Sequence, residues 1–347
     1  MAALSLAVLG ACGDDDPHGG SSGSGGRGGS SGSGGATAGT GGGGTAGSDG
    51  GSNDAGATAV TIRFKAKVGD ADFACGQEYP NQGSTGVRAR PLDFRFYVEN
   101  LRMITRTGEE VPVTLDARSP WQSREVALID FETGAAQSCN GDAATNTTIT
   151  GSVPAGDYTG IAFVNGVPES INHSDPAFGP APLQAPGMNW NWLFGFRFFI
   201  AELAHADAVM DAGAGDGGAL PGLGLLHAGS TACSDGSDAG GGGHGHGGGS
   251  DAGGGHDAGA SDAAHGDSGA RRITCAKPNR NQVRLSGFDA QRSFVVADIG
   301  AVFTQTDLTL EATCHSGSEY CGPVFDNLGV NYATGAPLLT QSIYRVE

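Results

Sequence analysis

Two histidines lie in segments of mixed composition where the chain could hold an imidazole rigidly. His173 sits in the proline-punctuated segment 166–176, and His227 sits between an apolar run and Cys233. The Asp175 carboxylate or a backbone carbonyl could orient the second ring nitrogen of His173, as metal-bound histidines require. Two neutral imidazoles suit copper or zinc. The pair therefore predicts a metal site, although a histidine taken alone is more often a structural or surface residue.

Other side chains could contribute to such a site. Three residues between the two histidines could border it: Met188, Trp190 and Trp192. Two tryptophans at positions i and i+2 of one strand also commonly pack a core or a rim, and that alternative stays open. His315, beside Cys314, is a weaker metal ligand. The pair His244 and His246 lies in a Gly-rich tract, where it predicts either weak, exchangeable metal capture or a solvated linker.

No catalytic motif accompanies these residues. Outside the low-complexity tracts the sequence contains no G-x-S-x-G, H-E-x-x-H or P-loop pattern. No pair of carboxylates stands out as a general acid and base. The formal net charge of −18 argues against nucleic-acid binding, which needs a basic face. We therefore expect a binding protein and not an enzyme.

The N-terminus predicts export. Residues 2–11 form a short apolar run, and Leu9-Gly10-Ala11-Cys12 is typical of a bacterial lipobox. A peptidase would cleave before Cys12, and lipid would attach to its sulfur. The run is too short to span a membrane. Residues 1–12 therefore indicate a lipoprotein anchored in the periplasm or at the outer-membrane surface, and the alternative is a buried strand with an incidental cysteine.

Six further cysteines form an even set, which indicates disulfides in an exported protein. Proximity in the sequence favours Cys314–Cys321. A Cys233–Cys275 bond would close the base of the low-complexity tract between them, and Cys75–Cys139 follows by elimination. Zinc binding is the weaker alternative, because no pair has C-x-x-C spacing.

Apolar and polar residues alternate in short segments throughout residues 58–347, with no long helical period between them. Alternation with period 2 is typical of half-buried strands. It is clear in segments 60–68, 93–98 and 101–104, and the aromatic run from Trp190 also favours a strand. Regularly spaced strands predict an all-β domain, an antiparallel sandwich or barrel with disulfides.

The 63 glycines of the chain are concentrated in blocks. Residues 13–57 predict a disordered tether, because such sequence buries too little apolar surface to offset its conformational entropy. Residues 205–222 and 234–270 predict low-complexity insertions for the same reason. The remainder suits a single domain, 58–347, interrupted by these two insertions.

An ordered set of short motifs resembles the MbnP family from the first predicted strand towards the C-terminus. No single motif is specific, but their order is. The motifs are Asp93-Phe94-Arg95-Phe96-Tyr97-Val98, Val153-Pro154-Ala155-Gly156-Asp157-Tyr158, Gly166-Val167-Pro168 with Asn172-His173, Met188-x-Trp190-x-Trp192, His227-x-Gly229-Ser230-Thr231-x-Cys233 and Cys314-x-Ser316-Gly317.

The resemblance implies a periplasmic or surface copper-binding protein of a family in which some members are encoded beside methanobactin genes. It implies a β-rich, disulfide-bonded fold and copper held by histidine and kynurenine, an oxidised tryptophan made by a di-haem peroxidase-like partner. By position, His173 and His227 become the ligands, and Trp190 or Trp192 becomes the modified residue. His315 stands where the family pattern has methionine. The implied role is copper uptake, storage or buffering, and the alternative is a structural or adhesive surface lipoprotein with incidental histidines.

Overall fold

The computed structural model describes residues 56–134, 139, 141, 143–208, 222–235, 273–310, 312–315 and 320–347. These residues belong to the compact unit Asn53–Glu347. The predicted lipobox with Cys12, nearly all of the tether, and most of the two insertions with His244 and His246 lie outside the described residues. Within the described ranges, no helix has the length and apolar character needed to cross a bilayer.

Strands and two short helices build the described part of the chain. The strands are β1 Ala57–Val68, β2 Ala71–Asp72, β3 Tyr79–Gln82, β4 Val87–Thr105, β5 Glu110–Pro112, β6 Thr114–Leu115, β7 Val126–Asp130, β8 Thr148–Pro154, β9 Tyr158–Asn165, β10 Asn189–Asn191, β11 Gly195–Phe196, β12 Phe199–His205, β13 Leu223–Ala228, β14 Thr231–Ser234, β15 Thr274–Lys277, β16 Asn281–Ser286, β17 Val295–Asp298, β18 Ala312–Cys314 and β19 Tyr344–Val346. The helices are α1 Ile299–Val302 and α2 Cys321–Leu328.

Two sheets pack against each other around an aromatic core. The smaller sheet has the order β19-β17-β1-β8-β6, with β2 beside β1. The larger sheet has the order β16-β9-β4-β12-β13-β18, with β3, β5 and β7 also paired to β4. The ring of Phe64 in the smaller sheet lies 5.9 Å, centroid to centroid, from both Phe96 and Phe163 in the larger sheet. The predicted all-β class is confirmed.

Most strand pairs are antiparallel, as predicted, and two pairs are parallel. Strand β1 pairs in parallel with β17, and β13 pairs in parallel with β18. Parallel neighbours need a crossover connection and not a tight hairpin. The chain between β1 and β17 contains β2 to β16, and the chain between β13 and β18 contains β14 to β17 and α1. Strand alternation alone carries no information about such distant pairings.

The three disulfides are those that the sequence predicts: Cys75–Cys139, Cys233–Cys275 and Cys314–Cys321. In the ribbon of β14 and β15, Cys233 and Cys275 are directly opposed. This ribbon therefore joins the two ends of the tract 234–270. The segment after Cys314, predicted only as a tight loop, leads into helix α2 at Cys321.

Strand β4 unites two segments that the sequence predicts as separate, half-buried strands. Phe94 and Phe96 point into the core between the sheets, and Asp93 and Arg95 alternate onto the outer face. The outer face is nevertheless covered, because Asp93 is 3% and Arg95 8% exposed. Apolar residues of segment 166–198 pack there and form a second apolar cluster: Val167, Leu183, Met188, Phe196 and Phe198 with Tyr97 and Ile200. The expectation that one face of this strand is solvated is wrong.

Candidate metal centre

A row of side chains crosses the outer face of the larger sheet. Residues directly paired across strands point to the same face. Asp130 pairs with Arg95, Arg95 pairs with Ile200, and Ile200 pairs with His227. The parallel pairing of β13 with β18 then brings His315 next to His227. Side chains from four strands and the segment after β18 therefore meet beneath segment 166–198.

His227 is buried, with 4% of its surface exposed. Its Nε2 lies 2.8 Å from Oε1 of Glu202 on the neighbouring strand β12. An ionised carboxylate only accepts hydrogen bonds, so Nε2 is the donor of this pair, and Nδ1 is the nitrogen that offers a lone pair when the imidazole is neutral. The His315 ring meets the His227 ring edge to face, with 4.9 Å between centroids. The Cys314–Cys321 bond restrains the backbone beside His315.

Two buried carboxylates lie beside His227. Glu202 and Asp93 are direct cross-strand partners, 9% and 3% exposed. Nε of Arg95 donates to Oδ1 of Asp93 at 2.8 Å, and its terminal nitrogen donates to Oδ2. Burial raises the pKa of Asp93 and the Glu202 charge raises it further, while Arg95 and His227 act in the opposite direction. The negative potential around this imidazole favours a bound cation.

His173 is half-buried in the loop between β9 and β10. Its Nδ1 lies 3.0 Å from the carbonyl oxygen of Trp192. A carbonyl only accepts, so Nδ1 carries the hydrogen and Nε2 carries the lone pair. The orienting group is thus a backbone carbonyl and not Asp175, which is exposed and accepts from the N–H of Ala177 at 2.9 Å.

Nε2 of His173 faces the disulfide of the β14–β15 ribbon. It lies 3.4 Å from Sγ of Cys275 and 3.2 Å from Nδ2 of Asn172. In the described part of the chain, one group of three potential metal donors has its ligand atoms within 4.8 Å of one another. It consists of His173, Cys233 and Cys275. Since both sulfurs are in a disulfide, neither binds metal as a thiolate. The imidazole is the donor that this group offers.

Asn172 connects the loop of His173 with the end of β13. This buried side chain accepts a hydrogen bond from the N–H of Phe196 at 3.2 Å, and its Nδ2 lies 3.4 Å from Oγ of Ser230. Ser230 follows His227 by three residues. The backbone segments that carry the two histidines are therefore tied together through one amide side chain.

The two tryptophans have different surroundings. Trp192 is 57% exposed, and its contribution to the site is the backbone carbonyl that holds His173. Trp190 is half-buried and packs over Gly229, where a Cβ atom would lie 2.5 Å from the ring. The guanidinium of Arg197 lies 5.7 Å from the centroid of the Trp190 ring. Trp190 thus belongs to the wall of the site, and Trp192 lies at its surface.

A cavity of about 590 Å³ adjoins this wall, and Trp190, Phe194, Arg197, Thr231 and His315 are among its lining residues. His315 therefore contacts both the buried His227 ring and the cavity. Met188 is fully buried in the second apolar cluster. Its side chain therefore helps to pack segment 166–198 against the outer face of the sheet.

Sequence reasoning missed Glu202 and Asn172 as functional candidates. Glu202 is the one acidic residue in the apolar run 193–204. A carboxylate in a buried strand needs a partner, so this position carried a signal. Asn172 stood within the motif around His173, yet only the fold shows that its side chain reaches Ser230.

This chain is similar to a known family and to a solved structure. The MbnP family model matches residues 57–316. The structure of MbnP from Methylosinus trichosporium is similar to this chain, with 25% sequence identity and a TM-score of 0.64. The similarity covers 84% of this chain and 98% of that one. No curated protein matches this sequence significantly.

Proposed function

Because this chain belongs to the MbnP family, we propose that it is a non-enzymatic copper-binding protein of the bacterial cell envelope. His173 and His227 are the proposed ligands, and the role is copper uptake, storage or buffering. The observation that carries the proposal is shared by the two histidines. Each has one ring nitrogen held by an oxygen acceptor, at 3.0 Å from the Trp192 carbonyl and at 2.8 Å from Glu202.

The donor chemistry fits copper. Metal-bound histidines usually donate their second ring N–H to a carbonyl or carboxylate, which sets the tautomer and the ring orientation. His173 would bind through Nε2 and His227 through Nδ1. Imidazole donors without a thiolate suit copper, and the carboxylates of Glu202 and Asp93 favour a cation beside His227. His315 lies close enough to His227 to serve as an accessory donor.

Export and anchoring form part of the same proposal. Three disulfides are typical of an oxidising compartment outside the cytoplasm. The lipobox at Cys12 would anchor the chain to a membrane as a lipoprotein. Weak additional copper capture by His244 and His246 would be separate from the site of the folded domain.

Oxidation of a tryptophan to kynurenine is the step of the proposal that requires a partner protein. It needs an external oxidant, and a peroxide-consuming di-haem partner is the class that the family resemblance implies. The exposed Trp192 is open to such a partner, whereas Trp190 is half-buried against Gly229. Intact-mass and peptide analysis of protein from the native organism would identify the mass change of kynurenine and assign it to one of the two positions.

Copper affinity of purified full-length variants tests the proposed ligands. Cu(I) is titrated in competition with a chromophoric chelator. His173→Ala and His227→Ala should each abolish tight binding, because one remaining imidazole competes poorly with the chelator. His205→Ala, at the end of β12, serves as the matched control and should bind as the wild type does.

Two results would contradict the proposal. If the double variant His173→Ala/His227→Ala keeps wild-type affinity while deletion of 234–270 removes copper, the Gly/His tract is the site. If the wild-type protein binds no copper tightly, the alternative of a structural or adhesive surface lipoprotein is favoured.

A further inference from the structure

A second cavity, the β7 cavity, lies at the other end of the row on the outer face. Its volume is about 560 Å³. Asp130 is three strand positions from His227 along the row, a distance of roughly 14 Å at about 4.8 Å per strand. Three charged residues are part of its lining: Arg95, Asp130 and Glu132. Leu128 and residues of segments 119–121 and 181–187 also line it.

Asp130 presents an unsatisfied acceptor to this cavity. The residue is 5% exposed, and its Oδ1 makes no hydrogen bond with any residue that the structure describes. A buried acceptor without a partner is costly, and such atoms are rare in native proteins. A ligand with N–H groups would satisfy it.

The guanidinium of Arg95 does not donate a hydrogen bond to Oδ1 of Asp130. Its Nε and one terminal nitrogen donate to Asp93, and the other terminal nitrogen donates to the carbonyl oxygen of Pro186 at 3.0 Å. Oε1 of Glu132 also lies 3.8 Å from Nε of Arg95. One guanidinium thus faces three carboxylates, those of Asp93, Asp130 and Glu132. This arrangement therefore favours a ligand with a positive charge.

The apolar part of the lining suits an apolar body. Leu128 is buried in the second apolar cluster, and Trp121 packs against that cluster while lining the cavity. An aromatic face also attracts a cation. We propose that the β7 cavity binds a small organic cation, with an ammonium or guanidinium group at Asp130 and an apolar body against Trp121 and Leu128.

Protonation of Asp130 gives this proposal a distinctive signature. Burial, then the charge of Glu132, raises the pKa of Asp130 to about 8, with Asp93 adding to the effect and Arg95 opposing it. Segments 119–121 and 181–187 contribute no titratable side chain. A bound cation favours the ionised carboxylate, so binding near pH 7 releases a proton. Affinity should rise about tenfold from pH 6 to pH 7 and level off above the pKa.

Calorimetry on the copper-free full-length protein tests the proposal with benzylamine as the probe. Titrations at pH 7 in two buffers with different ionisation enthalpies measure the proton released. Benzyl alcohol is the neutral match of the probe and should bind at least tenfold more weakly. Asp130→Asn should lose the proton release and weaken benzylamine binding at pH 8 at least tenfold, and the exposed Asp157→Asn should match the wild type.

Several results would overturn the proposal: no binding of benzylamine, equal binding of benzyl alcohol, or an Asp130→Asn variant with wild-type affinity. Binding of benzoate in place of benzylamine would assign the cavity to anions through Arg95. If Asp130→Asn does not fold, proton release and pH dependence in the wild type still decide. Copper takes no part in these measurements, so their failure is distinguishable from failure of the proposed copper site.

Discussion

Replacing Glu202 with glutamine changes the support of His227 without changing its size. The carboxylate oxygen lies 2.8 Å from Nε2 of His227, and Glu202 is only 9% exposed. Glutamine can still accept from Nε2 through its amide oxygen, but the acceptor is then neutral. The perturbation therefore tests charge and orientation while leaving both proposed copper ligands in place.

The size of the effect follows from the hydrogen bond. A bond to a charged group contributes about 1.5–3 kcal/mol, and a neutral one contributes about 0.5–1.5 kcal/mol. The midpoints of these ranges differ by about 1.25 kcal/mol, which corresponds to about eightfold in an equilibrium constant. Changes to residues that orient metal ligands typically cost about 10–100-fold in affinity. We expect Glu202→Gln to weaken Cu(I) binding by about tenfold.

Loss of folding should not account for this result. Glu202 is the cross-strand partner of buried Asp93, and its charge raises the pKa of Asp93. Removing the Glu202 charge relieves repulsion between these two groups, so the variant should unfold at or above the wild-type temperature. The matched control is Glu110→Gln, which removes an ion-paired carboxylate at the far end of β4.

Competition titration and thermal unfolding together decide the outcome. We expect Cu(I) affinity to fall about tenfold in Glu202→Gln and to stay unchanged in Glu110→Gln. Equal affinity for Glu202→Gln and the wild type would refute a role of this carboxylate in supporting His227. A parallel loss of affinity and melting temperature would show that the effect is structural.

Three further changes test the fold and its charges. The pKa of Asp130 is raised from 3.8 to about 8, so the contribution of this residue to stability is complete below about pH 4 and is lost as the pH rises to about 8. In urea unfolding, Asp130→Asn should therefore gain stability relative to the wild type across this range, on the order of a few kcal/mol. A difference in stability that does not change with pH would contradict the raised pKa. Removing the Cys75–Cys139 disulfide, with a sequence separation of 64, should lower the free energy of unfolding by about 4 kcal/mol. Removing Cys314–Cys321, with a separation of 7, should lower it by about 2.5 kcal/mol. Equal decreases in denaturant titrations would argue against loop entropy as the cause. Gly229→Ala places a Cβ atom 2.5 Å from both the Trp190 ring and the carbonyl oxygen of Phe196. It should cost about 1–3 kcal/mol and shift the tryptophan fluorescence. An unchanged spectrum and stability would contradict close packing of Trp190 and Phe196 around Gly229.

Local patterns explain what the sequence predicted well. Period-2 alternation marked β1, and the position of Cys233 and Cys275 at the two ends of one low-complexity tract indicated their bond. Both features depend on short stretches of chain or on a simple closure argument. The alternation in 93–98 was also correctly assigned to a strand, but it contained no information on what covers the outer face.

The other features of the fold and of the candidate site depend on contacts between distant segments. The parallel pairings of β1 with β17 and of β13 with β18 join strands far apart in sequence. Segment 166–198 turns the polar side of β4 into a buried surface, and that cover makes Asp93 and Glu202 neighbours of a potential cation and not solvated charges. Likewise, two histidines could be named from the sequence, but the Trp192 carbonyl that orients His173 could not.

The charges on the outer face are hard to explain by stability alone. Buried ion pairs often contribute less than apolar residues of the same size, because desolvation offsets their attraction. Here the carboxyl groups of Asp93, Asp130, Glu132 and Glu202 lie on a covered face beside the guanidinium of Arg95. A face that served only to pack segment 166–198 would be better formed by apolar side chains. The proposed copper ion beside His227 and the proposed organic cation at Asp130 would give these acidic groups a function.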